Sequence, residues 1–278
     1  MAIVHHLNCG TQCTIGGCLV SGSGSLFQRA SLVSHCLLVE TNSGLVLIDT
    51  GLGLHDIENP RRRLGSGFMF LAQLHLDPEE TAVRQIERRG FSRDDVRHII
   101  VTHLDLDHAG GIADFPAAQV HILDSEYSAA TSPNTFTDKY RYRPCQWEHQ
   151  PRWVRHKVQG EKWFGFECVR QIEGLPPEIL LVPLLGHTRG HTGVPVYTKG
   201  SWLLHAGDAY YYRNEIDYHQ PQCPLGLRIV QRIGAVDKQA WRKNQQRLRH
   251  LARDRAVEVR IFSAHDPVEF ELSDKAEP

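Results

Sequence analysis

The sequence is short of net charge: 31 Lys and Arg oppose 32 Asp and Glu, leaving −1 across 278 residues. Nucleic acid and anionic membranes are recognised through a basic excess gathered on one face, so neither is an expected partner. Long apolar runs are lacking too. The longest, such as Leu45 to Ile48 and Ile179 to Leu185, fall far short of the roughly 20 residues that span a bilayer. The start, Met1-Ala2-Ile3-Val4-His5-His6, has neither the basic residues nor the apolar segment of a secretory signal, and the expected location is the cytoplasm. Paired cysteine knuckles are missing: Cys9, Cys13 and Cys18 are spaced C-x3-C-x4-C, while Cys36, Cys145, Cys168 and Cys223 are dispersed. That pattern fits neither a structural zinc site nor, with an odd count, a disulfide framework, and it reads as free thiols. No Pro, Ser or charge run marks a linker, so a single domain over residues 1–278 is expected, long enough to bury a core without staples.

What the chain holds in excess is histidine, seventeen residues of it. Spacing decides whether these are scattered surface groups or ligands, and the strand-like runs set the frame. Val33 to Glu40 and Leu45 to Asp49 are short apolar runs joined by Thr41-Asn42-Ser43-Gly44, a hairpin signal. Asp77, Pro78 and Glu80 offer an N-cap, a first-turn proline and a capping box for a helix over Glu79 to Arg89. Val96 to Thr102 reads as a strand running into His103, and a helix is expected to begin at Ala109-Gly110-Gly111. In the second half, Ile179 to Leu185, Val194 to Thr198, Trp202 to His205 and Val257 to Phe262 read as strands. Asp237 caps a helix running to about Arg253, whose many Lys and Arg read as a solvated face. Two sets of strands, each with its own helices, imply a layered α/β or α+β domain with sheets face to face and helices outside.

The strongest chemical signal is Thr102-His103-Leu104-Asp105-Leu106-Asp107-His108-Ala109-Gly110-Gly111, which places four candidate metal ligands within six residues. While the backbone is extended, His103 and Asp105 point to one side, and the following turn brings Asp107 and His108 around. Imidazole and carboxylate together suit a divalent metal. Three later segments put a His or Asp at a strand end: Gly186-His187-Thr188-Arg189-Gly190-His191, Ala206-Gly207-Asp208 and Ala264-His265.

This ordered set resembles the metallo-β-lactamase superfamily over nearly the whole length. Leu47-Ile48-Asp49-Thr50-Gly51 looks like the strand-end motif whose Asp supports the metal loop, His103 to His108 like the H-x-H-x-D-H signature, and Gly186 to His191 like G-H-T-x-G-H. The resemblance implies a four-layer αββα sandwich of the α/β (α+β) class, with a cleft at one edge of the sheets. It also implies two divalent metal ions, zinc first. His103, Asp105 and His187 would hold one, Asp107, His108 and His265 the other, and Asp208 would bridge them. His191 falls outside the ligand position of its motif and is expected to support or pack against the ligands.

The chain departs from the pattern at one place: Asp105 stands where most members have His. A third carboxylate with a bridging hydroxide makes the two-metal cluster neutral and a weaker Lewis acid. Oxygen in place of nitrogen moves preference toward manganese or iron. Asp is also shorter than His, so the first position is weak or empty if the carboxylate falls short. An acidic residue here is similar to a diiron redox branch, but the chain leaves no room after His265 for that branch's flavin domain.

Two divalent ions roughly 3.5–4 Å apart generate hydroxide at neutral pH and polarise a carbonyl. The expected function is therefore a dinuclear hydrolase in which metal-bound hydroxide opens a lactone or other ester, with Asp107 orienting or deprotonating the water. Tyr211 stands three residues after Asp208, where N-acyl-homoserine lactonases carry a Tyr. It either serves the lactone carbonyl and the departing alkoxide or lines the cleft with Tyr210 and Tyr212. The stretch 134–166, aromatic and basic, reads as a substrate-covering insertion or as a homodimer contact, and Phe68-Met69-Phe70-Leu71 has the same two readings. The alternatives are a thioesterase or phosphoesterase on the same site, a diiron redox protein, or a ligand-binding regulator without turnover.

Overall fold

The computed structural model describes residues 2–158, 160–172 and 174–276, and the side chains of Phe136, Glu161, Glu167, Cys168, Val169, Arg170, Gln171, Asp274 and Ala276 lie outside the described set. Among the described residues, thirteen strands form two sheets. β1 (Ile3–Ile15), β2 (Arg29–Thr41), β3 (Gly44–Ile48), β4 (Leu74–His75), β5 (Val96–Ile100), β6 (Gln119–Leu123) and β7 (Arg152–His156) are ordered β4-β1-β2-β3-β5-β6-β7. β8 (Glu161–Trp163), β9 (Phe166–Gln171), β10 (Leu180–Pro183), β11 (Thr192–Thr198), β12 (Ser201–His205) and β13 (Val259–Phe262) are ordered β13-β12-β11-β10-β9-β8.

The period of two along β2 explains why its apolar run is nearly continuous. Leu37 and Val39 enter the core between the sheets with Val46, Ile48, Ile100, Leu181, Val194 and Phe262. Cys36 and Leu38 face the other way, into a core closed by Val83 and Ile86 of the helix Ala82–Arg88. A strand buried on both faces has no solvent side to mark with polar residues. The outer face of the second sheet is covered by the helix Lys238–Asp254, which buries Trp241, Leu248 and Leu251. Its N-cap is Asp237, whose carboxylate accepts from the Gln239 and Ala240 amides at 3.0 Å each. Helices outside and two sheets inside make the αββα sandwich. Among the described residues no helix is long and apolar enough to cross a membrane.

Local structure departs from the sequence reading in four places. β1, thirteen residues long, carries no strand signal in the sequence because its H-H-L-N-C-G-T-Q-C-T run is mostly polar. The helix expected over 79–89 is a 3₁₀ turn at Pro78–Glu80 followed by Ala82–Arg88. Asp77 does cap the turn, accepting from Glu79 N at 2.9 Å. Glu80 closes no capping box, because its carboxylate accepts from Thr11 N at 2.8 Å and Thr11 Oγ1 at 3.0 Å, filling the irregular register between Asn8 and Thr11. The helix expected at Ala109 begins earlier, spanning Leu106–Ala109, and 3₁₀ turns follow over Gly110–Asp114. The 134–166 stretch contains the helix Phe136–Arg141 and the edge strands of both sheets, β7 and β8. Residue 159 in that stretch lies outside the described residues.

Strand direction positions the site. β3 and β5 are parallel neighbours, as are β12 and β13. Their C-terminal ends therefore deliver Asp49, His103, Asp208 and His265 from one edge of the sandwich, and the β10–β11 connection adds His187.

Candidate metal centre

Asp49 organises the motif loop. Its backbone takes φ of 54°, a left-handed conformation that costs an L-residue energy and persists where surrounding bonds enforce it. One carboxylate oxygen accepts from Thr102 N at 2.7 Å, and the other accepts from Thr102 Oγ1 at 2.7 Å and sits 2.9 Å from His108 Nδ1. With Nδ1 engaged, Nε2 of His108 turns inward. The same logic orients His265, whose Nδ1 lies 2.8 Å from the Val33 carbonyl, and His103, whose Nδ1 lies 3.0 Å from Thr102 Oγ1.

The inward atoms form two nests around one carboxylate. Asp208 Oδ2 lies 3.4 Å from His187 Nε2 and 3.7 Å from His103 Nε2. Its Oδ1 lies 3.1 Å from His265 Nε2 and 3.2 Å from His108 Nε2. Asp105 joins the first nest, with Oδ2 3.0 Å from His187 Nε2 and 3.4 Å from His103 Nε2. Asp107 joins the second, with Oδ2 3.8 Å from His265 Nε2. Ligand-type atoms of His103, Asp105, His187 and Asp208 all fall within 4.8 Å of one another, as do those of Asp107, His108 and His265. All seven are thus brought together, and the shorter Asp105 side chain still reaches the nest.

The donor set fits divalent cations. His103 Nε2 and Asp208 Oδ1 are buried with no hydrogen-bond partner, and such orphaned groups are rare unless something absent satisfies them. Burial opposes ionisation of Asp208, yet His265, His108, His187 and His103 hold its carboxyl well below the usual range. Burial likewise opposes ionisation of Asp105, and the Arg141 guanidinium with His103 outweighs it. For His108 burial disfavours the charged ring, but Asp208 and Asp49 lift it well above an ordinary imidazole. Imidazole nitrogens and carboxylate oxygens together support divalent metal ions here.

His191 does not enter either nest. Its Nδ1 is 3.0 Å from the Leu184 carbonyl, and its Nε2 accepts from Asp208 N at 2.8 Å, so it holds the backbone that carries Asp208. Gly207 permits that approach: φ is 52°, and a Cβ there would fall 2.6 Å from His191 Nε2. Tyr211 lies at the site, donating from its hydroxyl to Asp208 Oδ2 at 2.7 Å. Burial, then the Asp208 charge, pushes its phenol well above the usual value, so it stays protonated.

Several supporting residues gave no sign in the sequence. Gln12, on β1, donates to Asp107 Oδ2 at 2.7 Å. Glu126 is fully buried and accepts from Leu104 N and Gly190 N, tying two ligand loops together at 3.1 and 2.9 Å. Arg141 Nε lies 3.1 Å from Asp105 Oδ1, while its terminal nitrogens donate to the His187 and Gly234 carbonyls at 2.8 and 2.6 Å. Each is a polar residue with no motif around it, and only the fold pairs it with a residue far along the chain. Six further histidines pack in two chains elsewhere: His6 with His35 and His205, and His98 with His121 and His156. Burial pushes His6 and His121 down to about 3, so these rings pack as neutral groups.

Comparison with known proteins shows what the whole chain is similar to. The sequence pattern of the Metallo-beta-lactamase superfamily matches residues 31–259. The chain is 40% identical over 270 residues to Probable metallo-hydrolase Rv2300c of Mycobacterium tuberculosis, covering 97% of this chain and 82% of that protein. It is 28% identical over 211 residues to an N-acyl homoserine lactonase of Bacillus thuringiensis, covering 73% and 76% of the two chains. Its fold matches the solved structure of an N-acyl homoserine lactone hydrolase with N-hexanoyl-L-homoserine at its catalytic metal centre, with TM-score 0.70, 22% identity and 97% and 95% coverage. On the strength of the matched pattern and of relatives aligned along almost its whole length, the chain belongs to the metallo-beta-lactamase superfamily, as a metallo-hydrolase.

Proposed function

We propose that this protein is a dinuclear metal-dependent hydrolase that opens a lactone or other ester. The observation that carries the reading is the Asp208 carboxylate, which turns one oxygen to each nest, at 3.4 Å from His187 and 3.1 Å from His265. Zinc is the expected occupant, and the Asp105 oxygen admits manganese or iron beside it. When bound, such a pair supplies Lewis acidity and brings water ionisation to neutral pH. In this reading His103, Asp105 and His187 would hold one ion, Asp107, His108 and His265 the other, with Asp208 available to both.

The remaining roles belong to the chain's own side chains. Gln12 fixes one Asp107 oxygen at 2.7 Å, leaving the other to orient the attacking water and take its proton. As the carbonyl carbon gains that oxygen, the ester C–O bond breaks and the departing alkoxide needs a proton. Tyr211 holds one, and its buried phenol keeps it at neutral pH. A lactone is favoured among esters by the likeness to proteins named N-acyl homoserine lactonases.

Elemental analysis of the purified protein with a panel of lactone, thioester and phosphoester substrates tests the reading. Close to two metals per chain and preferential lactone turnover are expected, and Asp208→Ala should abolish both metal retention and hydrolysis. Full hydrolysis by metal-stripped protein would refute the mechanism, and binding of an acyl lactone without turnover would identify a regulator instead.

A further inference from the structure

A second cleft, of about 640 Å³, opens between the helices Leu225–Gly234 and Lys238–Asp254 and the segment 215–223. Its lining shares no residue with the two nests. Four arginines line it, Arg228, Arg232, Arg242 and Arg249, together with His250, Tyr218 and Trp241. Arg228, Arg232 and Arg242 have no carboxylate partner among the described residues. The acid in the lining, Glu215, is buried and already saturated. Its Oε1 accepts from Tyr211 N, Tyr212 N and Gln231 Nε2 at 3.1, 3.0 and 2.8 Å, and its Oε2 accepts from Gln245 Nε2 at 3.2 Å. Arg249 is spent on position, donating from Nε to the Glu215 carbonyl at 2.7 Å. The cleft therefore gathers at least three uncompensated positive charges in a chain whose overall charge is −1.

From this we infer that the cleft is a binding site for a small polyphosphate-bearing molecule of nucleotide size. Guanidinium forks match phosphate oxygens in pairs, and three free forks match the several charges of a diphosphate better than a single carboxylate. The volume lies in the range of small-molecule sites. Tyr218, exposed and with the Arg253 guanidinium 3.7 Å from its ring centre, gives a flat body something to pack on. A polynucleotide is the poorer fit, because the charge is confined to one cleft rather than spread as a stripe. What reads in the sequence as a solvated Arg-rich helix face is here one wall of a pocket. One lining residue reaches the chain next to Asp208, since Trp241 Nε1 donates to the Ala209 carbonyl at 3.0 Å. The inference does not depend on the hydrolase reading.

Calorimetric titration of the metal-loaded protein with ADP, inorganic diphosphate and citrate tests it, beside an Arg228→Gln, Arg232→Gln, Arg242→Gln triple variant. ADP is expected to bind one to one, more tightly than citrate, with affinity falling as salt rises. The triple variant should lose at least tenfold in ADP affinity while keeping its metal content and ligand-free melting point, because all three arginines are exposed. Citrate binding as well as diphosphate would overturn the phosphate assignment. No ADP binding below millimolar concentration, or unchanged affinity in the triple variant, would overturn the site, the latter by placing the phosphates on the metals.

Discussion

Arg141→Met is the perturbation that probes the departure at position 105 most directly. The guanidinium is committed on three sides, to Asp105 at 3.1 Å and to the His187 and Gly234 carbonyls at 2.8 and 2.6 Å. The Arg141 and Asp105 side chains are 11% and 17% exposed, so the pair is largely desolvated. Removing one member of a buried pair typically costs about 3–5 kcal/mol, because the other charge is left without a partner. Asp105 keeps some solvent and the neighbouring His187, which places the expected loss near the lower end, about 3 kcal/mol. In a chain of this size each kcal/mol moves the melting midpoint by about 2–4 °C, so a drop of about 6–12 °C is expected in chelator. Saturating zinc should then raise the midpoint more in the variant than in the parent, since a bound dication replaces the missing counter-charge of Asp105. Arg141→Lys, which keeps the charge but not the fork, should fall between the two. Scanning calorimetry with chelator and with zinc reads both effects. A chelated variant melting within about 2 °C of the parent, on the same scale, or a zinc-induced rise equal in both proteins, would refute the coupling.

Tyr211→Phe should lower lactone turnover by about 10²–10⁴-fold, the usual worth of a general acid, with two metals retained; unchanged turnover would remove Tyr211 from the chemistry. Asp114 is buried, accepts from Leu54 N at 3.0 Å, and has its carboxyl pushed by burial up to about 6. A carboxyl raised in the folded state favours folding below the unfolded value and loses that contribution as pH climbs through about 6. Asp114→Asn should therefore flatten the stability profile between pH 4 and 6 and leave the protein about 1–3 kcal/mol more stable at pH 7, measured by urea unfolding; a steeper profile would show the assignment to be wrong. Gly207→Ala forces a side chain to φ of 52° and against His191, so about 1–3 kcal/mol should be lost together with metal content, which elemental analysis would reveal as unchanged if the turn tolerates a methyl group.

The ligand-type residues were legible because they sit in short motifs at strand ends, whose order along the chain resembles that of the metallo-β-lactamase superfamily. His103, Asp105, Asp107 and His108 fall within six residues, and the apolar strand before them fixes where they emerge. Strands with alternating or continuous apolar runs were legible for the same local reason. β1 was not, because its burial is imposed by neighbours on both sides, β2 and β4, rather than by its own composition. Glu80 shows how a correct local signal loses: a capping box lies within reach, and the bulged strand beside it offers its carboxylate two donors instead.

By itself, then, the sequence determined a layered α/β domain and the short strand-end motifs that carry the candidate ligands, and through their resemblance to the metallo-β-lactamase superfamily it implied the sandwich, the seven-residue set and the departure at position 105. Only the tertiary structure decided what accompanies them: Arg141 beside Asp105, Gln12 on Asp107, Glu126 between two loops, and four arginines around one cleft. Each joins residues far apart along the chain, and such pairings leave no local trace because the energy that fixes them, burial of polar groups with satisfied partners, exists only once the chain has folded.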